Sequence, residues 1–411
     1  MEQRRSETPA RVAFDPSRKG PLEGVRVLDL SRLVAGNMLS LQLGDLGAEV
    51  MKVEPPQGDP LREWLDDGKS LFWKTYARNK RSIVLNLRVP DAKEALLRLT
   101  ETADVLIENY RPGTLEEMAL GPDVLHARNR GLIIVRISGF GQTGPYAELP
   151  GFGTLVEAMS GFAARTGFAD REPVLPPMAL ADMVAGLYGA GAVATALYAR
   201  ERGHAPGQVI DVSLLEAVFS IMGPEAAIYR ETGAVKGRIG SASNTSAPRN
   251  VYRCADGRYV ALSASIQSMA KRVFDVIGQP HMIEDPRFRT NSDRVRNRAE
   301  MDEILGAWFA GRTRDEALRL MREAEVTLGP VYNIDDAMED PHFRAREIIC
   351  EVEDADFGSI PMHNIVPRLS ATPGAWRRPA PQFGQHTAEI LAEAGYDAAA
   401  IAELRKLGAV R

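Results

Sequence analysis

The chain has 411 residues, 45% of them hydrophobic and 26% charged, with a formal net charge of -5. That length exceeds what one ordinary core covers, so two domains are expected, and the composition is that of a soluble globular protein. The acidic balance leaves no basic footprint for nucleic acid, so an anionic ligand must be held by local arginines and lysines.

Two cysteines, Cys254 and Cys350, fit neither a disulfide framework nor a metal-ligand spacing, which points to a reducing, cytoplasmic compartment and to no metal centre. Residues 1–20 are polar, lack the apolar core of a signal peptide, and are expected to form a loose leader.

From Pro21 the pattern becomes regular. An apolar strand over 25–30, a helix over 36–46 and a strand over 49–54 make a βαβ opening, which implies a parallel sheet with right-handed crossovers. Glu54 stands where a dinucleotide-binding acid would, but the turn from Ser31 to Gly36 holds one glycine and not the fingerprint that NAD requires. A strand over 82–87, a helix over 91–101 and a strand over 104–107 follow. Lys74, Arg78, Lys80, Arg81, Arg88 and Arg111 cluster here, either as the place where an open α/β sheet receives a phosphorylated ligand or as a solvated basic face. A strand over 132–138 then runs into a glycine loop, Gly139 to Tyr146. A second loop, Gly151-Phe152-Gly153-Thr154, opens another helix, and both loops are of a kind that brings backbone close to a ligand.

The most unusual stretch surrounds Asp182, which is followed by seventeen residues without a charge. A helix is expected over 183–199, too rich in small residues for a membrane span and better suited to a buried core, with Gly186, Gly189 and Gly191 admitting another backbone. A lone carboxylate at its mouth is either an N-cap or a functional group, and the residues alone leave both open. A strand over 208–212 and a helix from Ser213 come next. A Gly/Ser/Asn-rich linker over 231–250, a hairpin around Asp256-Gly257, and helices over 266–277, 293–310 and 313–324 describe a smaller α/β unit. A helix over 334–339, extended chain over 358–374 and two amphipathic helices within 386–407 complete the chain.

The strings PLEGVRVLDLSRLVAG, LGAEVMKVEPPQGDPLR, RNKRSIVLNL, ADVLIENYRPGTLEEMALG, ISGFGQTGPY, ALADMVAG, GQVIDVSLLEA and FGQHTAEILAEAGY, in this order, resemble the class III coenzyme A transferase family, of the formyl-CoA transferase and carnitine CoA-transferase type. The resemblance runs from Pro21 to the C-terminus. It implies an α/β fold: a doubly wound, Rossmann-like parallel-sheet domain built from 21–224 and a C-terminal return over 336–411, a linker and smaller inserted α/β domain over 225–335, and an interlocked homodimer. It also implies an enzyme that moves CoA from an acyl-CoA to a small carboxylic acid, with no permanently bound cofactor and no nucleic-acid or membrane partner.

The family nucleophile falls on Asp182. Family contacts to CoA fall on Val34 and Ala35, on Leu85 and Arg88, and on Asn109, Tyr110 and Arg111, with a further contact on the loop Gly151, Phe152, Gly153. Pro55 and Glu117 stand where formyl-CoA transferases have arginines, which transfers the expected phosphate grip to Arg88, Arg111 or Lys80. Phe152 occupies the place of the racemases' histidine and weighs against racemase or isomerase chemistry, which needs two groups on opposite faces of a carbon. Ser243 to Ser246 replace the glycine run of formyl-CoA transferases and weigh against oxalate or formate.

The expected chemistry is attack of the Asp182 carboxylate on a thioester, giving an aspartyl anhydride and then an aspartyl-CoA thioester. Backbone N–H groups of Gly151 to Gly153 would meet the developing oxyanion, and Phe140, Phe152 and the loop 243–249 would exclude water. Arg249, with Arg238, suits a second carboxylate, which points to dicarboxylates of the succinate type. A non-catalytic CoA-binding protein, with Asp182 as a mere cap, is the remaining alternative. His386 is read as helix-end structure.

Overall fold

The computed structural model describes residues 9–411, so residues 1–8 of the expected leader lie outside the described residues. The strands are β1 (Ala10–Val12), β2 (Arg26–Asp29), β3 (Glu49–Glu54), β4 (Lys80–Val84), β5 (Val105–Glu108), β6 (Ile133–Ser138), β7 (Gln208–Ser213), β8 (Arg249–Arg253), β9 (Tyr259–Ser263), β10 (Leu328–Pro330), β11 (Ile349–Asp354) and β12 (Gly358–His363).

Six of these form one parallel sheet in the order β4-β3-β2-β5-β6-β7. Strands buried on both faces read as near-continuous apolar runs, which is why VLIE and IIVRIS lack alternation. The order reverses between β2 and β5, so the crevice outside their C-terminal ends is the topological switch point where open α/β sheets bind ligands. The expected doubly wound large domain is therefore present.

The chain divides into two compact units. The first comprises the chain up to Phe162, Leu175–Pro224 and Pro341–Arg411. On one face of its sheet, Leu28, Met51, Ile83, Leu106 and Ile134 pack under Leu96, Ile390, Leu391, Ile401 and Leu404, so the C-terminal helices Thr387–Glu393 and Ala398–Lys406 close this core. The alternate residues Val27, Val50, Val105, Ile133 and Val135 face the other way, onto Leu39, Leu43, Ala185 and Val193.

On that second face the helices Ala35–Asp45 and Leu180–Glu201 approach unusually closely. A Cβ on Gly186 would stand 2.8 Å from the Ala35 carbonyl oxygen, and one on Gly189 only 2.4 Å from Leu39 Cδ1. Gly191 faces open space and has no such role. The expected buried core helix is buried on one side only, since its outer face exposes Leu187, Tyr188 and Tyr198. Among the described residues it is the one helix long and apolar enough to cross a membrane, yet its glycine face is packed within the fold.

Several expectations shift. β4 ends at Val84, so Leu85 and Arg88 leave the strand and belong to the loop beyond it. Within the expected leader, β1 pairs in parallel with β11 to form a small β1-β11-β12 sheet that no periodicity announced, and Phe14 beyond it packs edge-on to Trp376 at 5.9 Å.

The second unit comprises Ala163–Val174 and Glu225–Asp340, so it takes in a short segment that the sequence assigned to the large domain and ends a few residues beyond 335. Its β10-β9-β8 sheet is antiparallel, and Gly257 makes the hairpin turn with φ 78°. The helix expected over 293–310 is two, Asn291–Arg296 and Arg298–Ala310, meeting at Asn297. Phe274, Phe288, Leu305 and Phe309 fill the core.

Candidate active site

The turn leaving β2 is built on a buried charged network. Leu33 is held in the left-handed region, φ 61°, a costly conformation for leucine that surrounding bonds must maintain. Its N–H donates to Asp59 Oδ1 at 2.9 Å, and its carbonyl accepts from Asn37 Nδ2 at 2.6 Å. Asn37 Nδ2 also donates to Asp59 Oδ2 at 2.7 Å. Lys52 Nζ lies 3.0 Å from Asp59 and 3.3 Å from Asp29, with both partners buried. Burial alone would depress the Lys52 ammonium, but Asp29 and Asp59 outweigh it and hold it above the usual lysine range.

Lys80 is equally buried, donating to Asn37 Oδ1 at 2.8 Å, and burial, only partly offset by Asp29, pushes it down to about 7. It is a structural group under the turn, which corrects its expected role as a phosphate grip.

The same turn delivers Ala35, whose N–H hydrogen-bonds the Asp182 carboxylate. The Asp182 helix begins at Leu180 with Ala179 at the cap position and no side-chain cap, so Asp182 lies within the first turn and is not the N-cap. The orphan N–H of Ala181 is instead satisfied by Glu157 Oε1 at 3.0 Å, reaching over from the helix Gly153–Met159. The first residue of that helix, Gly153, has no side chain to hold the Asp182 carboxylate away. Burial first, then the Glu157 charge, push the Asp182 carboxyl up to about 6, against the lowering effect of the Ala35 N–H.

The two glycine loops meet back to back: a Cβ on Gly139 would stand 2.6 Å from Gly151 Cα, and one on Gly151 2.7 Å from Gly139 Cα. The Gln142 N–H donates to Asp211 Oδ2 at 2.9 Å, and Phe140 packs edge-on to Tyr146 at 5.8 Å. Phe152 is extended, with a ring 61% exposed, so within one chain it closes over nothing.

Asn109 ties the loops beyond β2 and β5 together at the switch point, accepting from the Arg32 N–H and donating to the Arg32 carbonyl, each at 2.8 Å. The Arg32 guanidinium stands 5.2 Å from the Tyr110 ring. Beside them opens a cleft of about 700 Å³ lined by Leu85, Arg88 and Tyr110 and also by Arg32, Lys93 and Glu117.

The expected CoA contacts thus divide. Arg88 and Tyr110 line the cleft with their side chains, whereas Leu85 is in the core and offers mainly backbone. The Val34 side chain is buried among Leu61, Trp73 and Ala77, and Ala35 contributes its N–H to Asp182. Arg111 is exposed and does not line the cleft.

The expected basic cluster disperses: Lys74 pairs with Asp354 and Asp356, Arg78 with Asp45, and Arg81 with Glu49, Glu389 and Glu393. Arg32 was missed because it lies outside that stretch of sequence, and Lys93 because it sits on the helix Pro90–Thr100 and not at a strand end. Position at a strand-end turn, rather than local charge density, was the signal for Arg32.

In the second unit Arg249 opens β8, exposed, with Nη1 donating to the Ala242 carbonyl at 3.3 Å. Arg238 bonds the carbonyls of Phe168 and Arg171, which ties its guanidinium to backbone. The Ser243–Thr245 loop is pinned by Asn291 Nδ2 on the Thr245 carbonyl at 2.9 Å. His386 stands at the start of the Thr387–Glu393 helix, as expected, and its Nδ1 accepts from the Ser82 N–H at 3.2 Å.

A doubly wound sheet with a carboxylate at a helix start and a cation-lined cleft at its switch point agrees with the sequence comparison: the chain belongs to CoA-transferase family III, whose family model matches residues 22–387. It is a CoA-transferase. The succinyl-CoA–D-citramalate CoA-transferase of Chloroflexus aurantiacus is 43% identical over 377 residues, covering 91% of this chain and 94% of that one. The succinate–glutarate CoA-transferase of Agrobacterium fabrum is 34% identical, covering 92% and 96%. The crystal structure of a CAIB/BAIF family protein from Brucella suis superposes with a TM-score of 0.80 at 33% identity, covering 92% of this chain and all of that one.

Proposed function

We propose that this CoA-transferase moves CoA from a succinyl-CoA-type donor to a second dicarboxylic acid through covalent intermediates on Asp182. One observation carries the reading: Asp182 is a half-buried carboxylate, resting on Gly153 and bonded by the Ala35 N–H, at the turn that borders the cation-lined cleft.

In the proposed sequence the Asp182 carboxylate attacks the thioester carbonyl and CoA leaves as the thiolate, giving an aspartyl acyl anhydride. The thiolate attacks the aspartyl carbonyl and releases the first acid, leaving an aspartyl-CoA thioester. The acceptor carboxylate attacks that carbonyl, expels the thiolate and forms a second anhydride. Thiolate attack on the acceptor's carbonyl then yields the new acyl-CoA and restores Asp182. Each nucleophile is an anion already, so no general base is needed. With Asp182 at about 6, the carboxylate is ionised at neutral pH yet more basic than an ordinary aspartate.

The CoA moiety occupies the cleft, with Arg32, Arg88 and Lys93 as phosphate partners, and backbone N–H groups of the loop Gly151 to Gly153 receive the oxyanion. The dicarboxylate reading is supported by the two transferases above, both named for dicarboxylic acids. We also infer a cytoplasmic homodimer, supported by two buried free cysteines and by the exposed apolar face of the Asp182 helix.

Asp182→Asn tests the core of the reading. It should fold, bind CoA thioesters and lose transfer by at least about 10³-fold, and hydroxylamine should trap an adduct on Asp182 in the native enzyme alone. Native-rate transfer by the Asn variant overturns the proposal.

A further inference from the structure

Glu157 has no part in the exchange chemistry above, yet it is 3% exposed and its carboxylate is fixed on the N–H of Ala181, the residue before Asp182. It comes from the helix Gly153–Met159, one turn beyond the glycine against which the Asp182 carboxylate lies, so one face of that helix presents Asp182 with both a contact and an anion. A neutral glutamine would satisfy the Ala181 N–H equally well, and a buried carboxylate is costly without a partner cation. The charge itself therefore calls for a role.

We propose that Glu157 is a positioning residue for the exchange reaction: its anion, seated on the first-turn N–H of the Asp182 helix, offsets the field of that helix end and keeps the Asp182 carboxylate a strong nucleophile. This rests on the reading of Asp182 as the nucleophile. A free helix N-terminus stabilises an anion and so makes it less reactive, and a second anion on the same turn works against that. Among the described residues, the other groups bonded to or resting against Asp182 are neutral: its own backbone N–H, the Ala35 N–H from the helix Ala35–Asp45 and Gly153, while its own helix carries no further charge until Arg200.

The test is the pH profile of kcat/KM for the acyl-CoA donor. Asp182 must be ionised to attack, so the native profile falls as pH drops through about 6. Glu157→Gln keeps the acceptor for Ala181 and removes the charge. Its acid limb should move to lower pH, by roughly half a pH unit or more, with a lower plateau kcat and an unchanged donor KM. Glu157→Asp keeps the charge and withdraws the oxygen, so its limb should stay near the native position while kcat falls. A Gln variant whose limb coincides with the native one overturns the proposal. If the Gln variant does not fold, an Asp variant whose limb drops into the ordinary aspartate range overturns it instead. A trapped adduct on Asp182 together with an unmoved limb removes Glu157 alone, whereas native-rate transfer by Asp182→Asn removes the reading beneath it.

Discussion

The Asp182 carboxylate rests directly on Gly153: a methyl group added at that glycine would stand 2.5 Å from Oδ2. Gly153 has no positive φ and opens a helix, so alanine suits its backbone and improves helix propensity. Gly153→Ala should therefore fold with native or slightly raised thermal stability while kcat falls about 100-fold, the usual consequence of displacing a reacting group by an ångström. Steady-state kinetics beside a thermal melt check this, and a native kcat would show that the contact does not fix the nucleophile.

Asp182 also opposes stability at neutral pH. Its folded pKa, about 6, lies above the ordinary 3.8, so the native state holds its proton more tightly and stability declines as pH rises from about 4 through 6. Asp182→Asn removes that term. Its Tm should exceed the native Tm by a few degrees at pH 7.5 and match it near pH 4. A melt series across that range decides it, and an Asn variant less stable at pH 7.5 contradicts the sign.

The cation-lined cleft predicts a division among arginines. Arg88→Ala and Lys93→Ala should each raise the donor KM about tenfold with kcat little changed, because both side chains line the cleft. Arg111→Ala should raise it far less. Equal effects at all three positions would place CoA elsewhere.

Asn109 should matter through Arg32 rather than through ligand contact. Asn109→Ala removes two side-chain-to-backbone hydrogen bonds at the switch point, and a loss of about 1–3 kcal/mol of local anchoring should lower kcat/KM by roughly tenfold or more. Limited proteolysis at the turn from Ser31 to Gly36 should accelerate in parallel.

Much of this was legible in the sequence where local pattern and tertiary environment agree. β3 and the helix Ile334–Glu339 fall where periodicity placed them, because apolar runs, charge and caps all point the same way there. The short strands β1, β10 and β11 were not legible, since three or six residues form a strand only when a distant partner supplies the hydrogen bonds. The site divides similarly. Asp182 and the glycine loops stand out by composition, whereas Glu157 looks like any amphipathic-helix acid until the fold brings it to Ala181. The basic cluster misled for the opposite reason: Lys80, Arg78 and Arg81 are charges that the chain buries against its own carboxylates.

The closure of the sheet by the C-terminal helices fixes the order in which the protein can mature during synthesis. All six strands of the large sheet have been made once Ser213 is translated, but Ile390, Leu391, Ile401 and Leu404 follow only after the whole of the second unit. Until they arrive, the apolar face of Leu28, Met51, Ile83 and Leu106 lacks part of its cover. A nascent chain stalled before Thr387 should accordingly hold the machinery of the active-site turn in an open, chaperone-dependent sheet, and the enzyme becomes self-sufficient only once the helices Thr387–Glu393 and Ala398–Lys406 have docked.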